Sequence, residues 1–304
     1  MKAFSLAILI PVLAIPGAAE EASWLLPGNL VGKDGAVQRI WLVSATPASI
    51  RYRASQNLPE VSEHRISETT AVCLDEPPEL AAAMNLYHSR KYAEARTQFI
   101  EMRQRFKPLV DLKNNPSTLA AFYETECLRK SGDLDGLAAA LVGFSKGPLT
   151  RETELRQLEL DEIWEAVRVK NWERVETLAK EREKTRLPGD QRAQVAYCQG
   201  FALEALKRPE EALFSYDTAL TADAGASEEI ARQAALRILA IHYADEQVME
   251  AIRLRGTKDE DKTSAGSTKL AEAAAVARLF QLSFGAGAPL PAEFVEFLKE
   301  IWEH

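Results

Sequence analysis

The chain has 304 residues, of which 46% are hydrophobic and 27% are charged, and its formal net charge is −8. This composition is typical of a folded globular protein and excludes global disorder. The acidic balance argues against nucleic-acid binding, because phosphate recognition needs a surplus of lysine and arginine. We therefore expect no nucleic acid among its partners.

The first residues predict a secretory signal peptide. Lys2 precedes an apolar run over Ala3–Pro16, and Gly17, Ala18 and Ala19 follow it, which is the order of a charged region, a hydrophobic region and a small-residue cleavage site. A bilayer-spanning helix needs about 20 apolar residues, so the alternative, an uncleaved membrane anchor, is disfavoured. We predict that residues 1–19 are a signal peptide and that no transmembrane segment remains after cleavage. The protein is then exported to the periplasm or the extracellular space.

Residues 22–75 predict a small β-domain. Three segments, at 37–44, 49–55 and 66–74, are strand-like, and in the second one Ile50 and Tyr52 alternate with Arg51 and Arg53. This alternation is typical of a half-buried strand. We predict a partly open SH3-like or Sm-like barrel that ends at Pro77 and Pro78.

Four similar turns follow at intervals of roughly 40 residues, a spacing that indicates a repeat. Their sequences are RKYAEA (90–95), GDLDGL (132–137), KNWERV (170–175) and KRPEEA (207–212). We call the third residue of each turn its anchor; the anchors are Tyr92, Leu134, Trp172 and Pro209. The residues six positions before, three positions after and seven positions after each anchor are apolar in all four copies.

These offsets predict amphipathic helices on both sides of each turn, because steps of three and four residues place side chains on one helix face. Two such helices joined by a short turn form a helical hairpin. A single hairpin cannot bury both apolar faces, so the hairpins are expected to stack in series.

Residues 193–224 resemble a tetratricopeptide repeat (TPR). Gly200, Leu203, Ala212, Tyr216 and Ala219 match the small-and-large pattern of that family. The resemblance extends over roughly residues 76–250. It departs from the family pattern at Thr125, Ile163 and Arg182 and in its longer spacing. It implies a mainly α-helical fold, a TPR-like solenoid of hairpins over 76–254, preceded by the small β-domain.

The C-terminal part predicts further helices. Residues 227–254 form one or two helices, and the polar segment Gly256–Ser267 is expected to be a mobile loop. Helices at 268–284 and 291–303 follow, and residues 268–304 are expected to cover the end of the stack, because a terminal repeat needs a polar outer face.

The chain carries no recognised catalytic, metal-binding or cofactor-binding motif. His64, His88, His242 and His304 have no metal-ligand spacing, and there is no phosphate-binding loop or GxSxG sequence. The three cysteines, Cys73, Cys127 and Cys198, do not form a disulfide framework; they are interpreted as small buried residues, although one pair could form a disulfide in an oxidising compartment. We predict no enzymatic activity and no cofactor.

The resemblance implies a concave groove lined by the first helix of each hairpin. The candidate groove residues combine aromatic and cationic side chains; they are Met84, Tyr87, His88, Phe122, Arg129, Lys130, Trp164, Arg168, Tyr197, Phe201 and Glu204. Aromatic and arginine side chains dominate interface energies, and the cations could hold a carboxylate of the partner. The alternative is that these aromatic residues fill the space between hairpins, as aromatic residues at helical spacing often do.

Three functions stay open at this point. We prefer a non-enzymatic scaffold of the cell envelope that binds a protein or peptide segment, acidic or carboxylate-bearing, because stacked hairpins form extended concave surfaces. A structural subunit of an envelope assembly would instead expose a large apolar patch. An enzyme with an unrecognised site would show a deep pocket with convergent polar groups.

Overall fold

The computed structural model describes residues 25–222, 225 and 227–300. The predicted signal peptide, residues 1–19, lies outside the described residues. The described chain is mainly helical and carries a five-stranded antiparallel sheet near its N-terminus, which confirms the predicted fold class at this level. Backbone contacts divide the chain into a first unit, Met1–Glu124 with Ser145–Leu149, and a second unit, Thr125–Phe144 with Thr150–His304.

The sheet of the first unit is an antiparallel meander whose last strand returns beside the first one. Its strands are β1 (Leu26–Gly32), β2 (Val37–Ala45), β3 (Ser49–Arg53), β4 (Ser62–Arg65) and β5 (Thr69–Leu74), in the order β4-β3-β2-β1-β5. A 3-10 turn, Ile66–Glu68, connects β4 to β5. Leu30, Ile40, Leu42, Ile50 and Tyr52 are buried on one face, because alternate residues of a strand share a face.

The three predicted strands correspond to β2, β3 and β5, whereas the sequence pattern does not predict β1 or β4. β4 is short and polar, and β1 contains Pro27, Gly28 and Gly32, which are residue types depleted in strands. Gly28 is needed because a Cβ atom at this position would lie 2.7 Å from the carbonyl oxygen of Cys73 on β5. Close pairing of β1 with β5 therefore explains why glycine occupies this position of the strand.

The helices of the first unit are α1 (Pro78–His88) and α2 (Tyr92–Arg105), and α3 (Pro116–Ser131) begins in this unit. α1 packs against α2, and Arg105 near the end of α2 forms an ion pair with Glu79 of α1. A 3-10 turn, Lys107–Leu109, packs on β2 with Leu109 fully buried. Within this unit the 3-10 turn thus packs between the end of α2 and the sheet.

The second unit contains helices that pack one after another along the chain. They are α4 (Leu134–Leu141), α5 (Glu152–Arg168), α6 (Trp172–Glu183), α7 (Gly189–Ala205), α8 (Pro209–Ala222), α9 (Glu228–Tyr243), α10 (Glu246–Leu254) and α11 (Ala265–Phe284). α5 packs on α6, α6 on α7, α7 on α8, and α8 on α9, while α11 packs on α9 and α10. Ala166, Leu203 and Tyr216, which the repeat pattern identifies as apolar positions, are buried in these interfaces.

All four predicted turns adopt the same backbone conformation. The residue two positions before each anchor has a positive φ: 61° at Arg90, 79° at Gly132, 56° at Lys170 and 64° at Lys207. The NH of each of these residues donates to the carbonyl three positions earlier, and the next NH donates to the carbonyl five positions before it. This pair of hydrogen bonds is the Schellman motif that ends a helix. The second helix of each pair begins at the anchor.

Because three of the four left-handed positions are not glycine, these turns carry backbone strain that can be measured. We expect Lys207→Gly to raise the free energy of unfolding by up to about 1 kcal/mol and Gly132→Ala to lower it by about 1 kcal/mol. Chemical denaturation followed by circular dichroism measures both changes. Lys207→Ala is the matched control, since it removes the same side chain without adding glycine's freedom. If it stabilised the chain as much as Lys207→Gly, backbone strain would not be the cause.

The flanks of the turns are buried as the repeat pattern predicts. Ala95, Leu137, Val175 and Ala212, three positions after the anchors, are each at most 2% exposed. Between α7 and α8 the helices approach so closely that a Cβ atom on Gly200 would lie 2.8 Å from the ring of Tyr216. The small residue on α7 therefore makes room for the large residue on α8.

The C-terminal part differs from the sequence-based prediction in two places. α11 begins at Ala265, inside the segment predicted as a mobile loop, because the Ser264 side chain accepts a hydrogen bond from the NH of Ser267 and caps the helix. Residues Ala292–Lys299 form 3-10 turns instead of the predicted α-helix. Phe294 and Phe297 are both buried, and a period of three places them on one face.

The described residues contain neither a membrane-spanning helix nor a disulfide. Across residues 25–300, leaving aside the few positions not described there, no helix has the length and apolarity that crossing a membrane requires. All three cysteines fall within the described residues and none forms a disulfide: Cys127 and Cys198 are buried, whereas Cys73 is exposed on β5.

Candidate functional site

The predicted groove residues are distributed over both units. Met84, Tyr87, His88 and Phe122 belong to the first unit, and Arg129, Lys130, Trp164, Arg168, Tyr197, Phe201 and Glu204 belong to the second. Each group forms its own set of contacts.

The first group is built around Tyr87. Its ring has edge contacts with His88, Tyr92 and Tyr123, at centroid distances of 5.6, 5.7 and 5.4 Å. Phe122 is 5% exposed and packs on Tyr123 at 5.3 Å. Met84 and Tyr87 are half-buried and His88 is exposed. Phe122 is therefore a core residue, while His88 and the edge of Tyr87 reach the surface.

The cations of the second group are paired with carboxylates of the chain itself. Arg129 is buried and donates from Nε and Nη2 to the two carboxylate oxygens of Glu126, at 2.9 and 2.8 Å. Arg168 donates from Nε and Nη2 to Glu165, both at 2.7 Å, and from Nη1 to Asp135 at 3.1 Å. The guanidinium of Arg168 lowers the pKa of Glu165. The carboxylates of Glu126, Glu165 and Asp135 therefore neutralise the positive charges of Arg129 and Arg168, two of the three cations predicted for the groove.

Lys130 forms an ion pair between helices that are far apart in sequence. Its Nζ lies 2.6 Å from Oε1 of Glu229, so the last turn of α3 contacts the first turn of α9. The two side chains are only 11% and 18% exposed. Lys130 at a helix C-terminus and Glu229 at a helix N-terminus also complement the two helix dipoles.

Trp164 belongs to a buried polar cluster that sequence reasoning missed, formed by Gln157, Asp161, Trp164 and Gln194. Gln157 and Gln194 exchange amide hydrogen bonds of 3.0 and 2.9 Å, and the Trp164 indole NH donates to Gln194 Oε1 at 3.1 Å. Gln157 also donates to Asp161 at 3.3 Å. On α5, positions 157, 161 and 164 share a face, and a polar face is usually assigned to solvent. Only the packing of α7 on α5 reveals that it is internal.

Asp161 carries the largest electrostatic cost in this cluster. Its Oδ2 is buried and has no hydrogen-bond donor among the described residues. Burial raises the pKa of this carboxyl to about 7; the negative charge of Glu126 adds to the increase, and Arg129 opposes it. A buried carboxyl without a full set of donors is more stable protonated than ionised. Asp161 lies among packed helices and does not line the cleft described below.

The remaining groove residues form a partly exposed aromatic group on α7. Phe201 contacts the edge of Trp172 at 5.3 Å and stacks on Tyr197 at 6.4 Å. The guanidinium of Arg237 on α9 lies 4.7 Å from the centre of the Phe201 ring. Glu204 accepts hydrogen bonds from the Tyr216 hydroxyl at 2.9 Å and from Arg237 at 3.3 Å. Phe201 is thereby fixed between an aromatic ring and a cation.

Phe201 and Arg168 line an open cleft of about 540 Å³ in the second unit. Its lining comes from the turn between α3 and α4, the end of α5, the turn between α5 and α6, and α7. The lining residues are Gly132, Asp133, Leu134, Asp135, Val167, Arg168, Lys170, Trp172 and Phe201. Its volume falls within the range of ligand pockets, about 300–1,000 Å³. We call it the Trp172 cleft. The repeat pattern identifies Leu134 and Trp172 only as anchors. Because each is the first residue of a second helix, it lies beside the turn that precedes that helix and can line the cleft.

The predicted groove residues thus divide into two classes. Phe122, Arg129 and Trp164 are buried. The others are partly or fully exposed: His88 is exposed, and the half-buried ones are Met84, Tyr87, Lys130, Arg168, Tyr197, Phe201 and Glu204. Comparisons with protein-family models, curated proteins and solved structures found no match.

Proposed function

We propose that the chain is a non-enzymatic, exported scaffold of the cell envelope, whose helices form a TPR-like stack of hairpins and bind a protein or peptide segment in the concave face of the stack. The observation that carries the proposal is the recurrence of one turn geometry at Arg90, Gly132, Lys170 and Lys207. Four turns that end one helix and start the next in the same way favour a repeated hairpin. The successive packing of α5 to α9 supports the same arrangement.

The sheet is proposed to be a partly open SH3-like or Sm-like barrel that precedes the stack. Support comes from the strand order, in which β5 returns to pair with β1, and from the 3-10 turn between β4 and β5. These features resemble the SH3-like arrangement predicted for residues 22–75. In this proposal the β-domain provides a second contact surface in the periplasm or outside the cell.

The half-buried side chains of the first helices are proposed to contact the partner. Binding sites combine apolar side chains with a few polar groups, and Phe201, Tyr197 and Arg168 supply both within the second unit. Phe122, Arg129 and Trp164 contribute to the proposal only by supporting the helices that carry these residues.

Site-specific photo-crosslinking in intact cells tests the function. A photoreactive amino acid is placed at His88, Arg168 or Phe201 on first helices, and at Phe214 or Leu282, which are 77% and 87% exposed elsewhere, as matched controls. We expect one and the same partner protein at the first-helix positions and none at the controls. Crosslinks only between copies of this chain would favour the structural-subunit alternative. A partner captured equally at Phe214 would contradict binding by the first helices.

A further inference from the structure

We propose that the Trp172 cleft binds an acidic peptide segment, with one large apolar side chain of the peptide in the cleft and a neighbouring carboxylate on Lys170. This inference rests on the proposed function and adds to it the place of binding and the chemistry of the partner.

The floor of the cleft fits a large apolar side chain. Leu134 begins α4, Val167 lies in the last turn of α5, Trp172 begins α6 and Phe201 lies on α7. Because the Trp172 ring and the Arg237 guanidinium contact Phe201 at 5.3 and 4.7 Å, its ring is held in place before a ligand arrives. A preformed apolar surface costs little ordering entropy on binding.

The charges around the cleft determine whether an acidic or a basic partner is favoured. The Asp133 side chain accepts a hydrogen bond of 2.8 Å from the NH of Gly136 and caps α4. Asp135 is paired with Arg168. Both lining carboxylates are therefore engaged, and both lie at the N-terminus of α4, where the helix dipole stabilises negative charge.

Lys170 is different from these groups. It is exposed and forms no ion pair with any residue in the described part of the chain. Its left-handed backbone, with φ of 56°, fixes it in the turn after α5. A peptide carboxylate at the cleft would meet this ammonium group, whereas a peptide lysine would meet a cation and carboxylates that already have partners. Charge complementarity at the rim therefore favours an acidic segment.

Lys207 provides a matched control for Lys170. It occupies the same position in the next turn, is exposed, and has a φ of 64°, but it does not line the cleft. Phe214 provides a control for Phe201 in the same way, because it is a surface phenylalanine of α8 outside the lining.

The test measures the affinity of the full chain for labelled synthetic peptides by fluorescence anisotropy. The probe has one phenylalanine between aspartates; one comparison peptide has alanine for phenylalanine, and another has lysines for aspartates. We expect the probe to bind more tightly than both comparison peptides, and more weakly as salt rises. Lys170→Glu should weaken probe binding about tenfold or more, equivalent to about 1.4 kcal/mol, whereas Lys207→Glu should leave it within about twofold.

The apolar contact has its own pair of variants. Phe201→Ala should weaken probe binding about tenfold or more, and Phe214→Ala should not. Because Phe201 also supports the fold, the exposed Lys170→Glu variant remains decisive if Phe201→Ala unfolds.

Three outcomes would overturn the inference. Equal weakening by Lys170→Glu and Lys207→Glu would place the peptide outside the cleft while leaving peptide binding intact. Tighter binding of the lysine peptide would contradict the partner chemistry. No binding of any peptide would remove this site, and the crosslinking experiment above would then decide the proposed function separately.

Discussion

Replacing Trp164 by alanine is expected to lower the free energy of unfolding by about 3–5 kcal/mol, the range for removing a buried large aromatic side chain. Trp164 is 8% exposed, and its indole NH donates to Gln194 inside the helix packing. The substitution leaves a cavity between α5 and α7 and removes one donor from the buried polar cluster. Guanidinium unfolding followed by far-ultraviolet circular dichroism measures the loss.

Two variants separate the causes of this loss. Trp164→Phe keeps most of the apolar volume and removes only the indole NH, so we expect a smaller loss of about 1–2 kcal/mol. Phe201→Ala removes a half-buried ring and is expected to cost less than Trp164→Ala. A loss below about 1 kcal/mol for Trp164→Ala would show that Trp164 does not support the fold, and would return it to the candidate binding residues.

At pH 8, the Asp161→Asn variant is expected to have a higher free energy of unfolding than the unsubstituted chain. The pKa of Asp161 is about 7 in the folded state, raised from 3.8 first by burial and then by Glu126. At a pH between these two pKa values, Asp161 keeps its proton in the folded state and loses it in the unfolded chain. The free energy of unfolding therefore falls as pH rises from about 4 to about 7. Because asparagine does not ionise, the variant does not show this loss of stability with rising pH.

The size of the effect follows from the pKa difference at about 1.4 kcal/mol per unit. The gain of Asp161→Asn over the unsubstituted chain should reach roughly 2–4 kcal/mol at pH 8 and nearly vanish at pH 4. Urea unfolding at a series of pH values measures it. Asp135→Asn, at an exposed position of α4, is the matched control and should show no comparable pH-dependent gain. A gain of equal size at pH 4 and pH 8 would exclude ionisation of Asp161 as its cause.

The sequence predicts the repeated turns because their cause is local. Each turn needs an apolar anchor and small or apolar flanking residues, and these positions are visible at Tyr92, Leu134, Trp172 and Pro209. Three of the five strands are visible for a similar reason, since alternating side chains mark β3 in particular. The positive φ at Lys170 and Lys207 cannot be predicted from the sequence. Lysine rarely adopts a left-handed conformation, whereas a glycine such as Gly132 often does.

The candidate site is harder to predict because its properties depend on residues brought together by tertiary packing. Arg129 and Lys130 are adjacent in sequence and look like free cations, yet Glu126 binds one and Glu229 binds the other. The Gln157–Gln194 pair joins helices through side chains that resemble a solvated surface. Conversely, Lys170 and Trp172 become candidates for binding only when α4, α5 and α7 place their ends around one cleft.

The contact between Lys130 and Glu229 has a consequence for how the second unit unfolds. In a linear array, nearest-neighbour interfaces allow one end to fray while the rest stays ordered. Here the two residues are 99 positions apart, so opening α9 also exposes the end of α3. The helices between these two residues therefore lie within a loop that a long-range contact closes. We expect these helices to unfold together, and not one after another from one terminus.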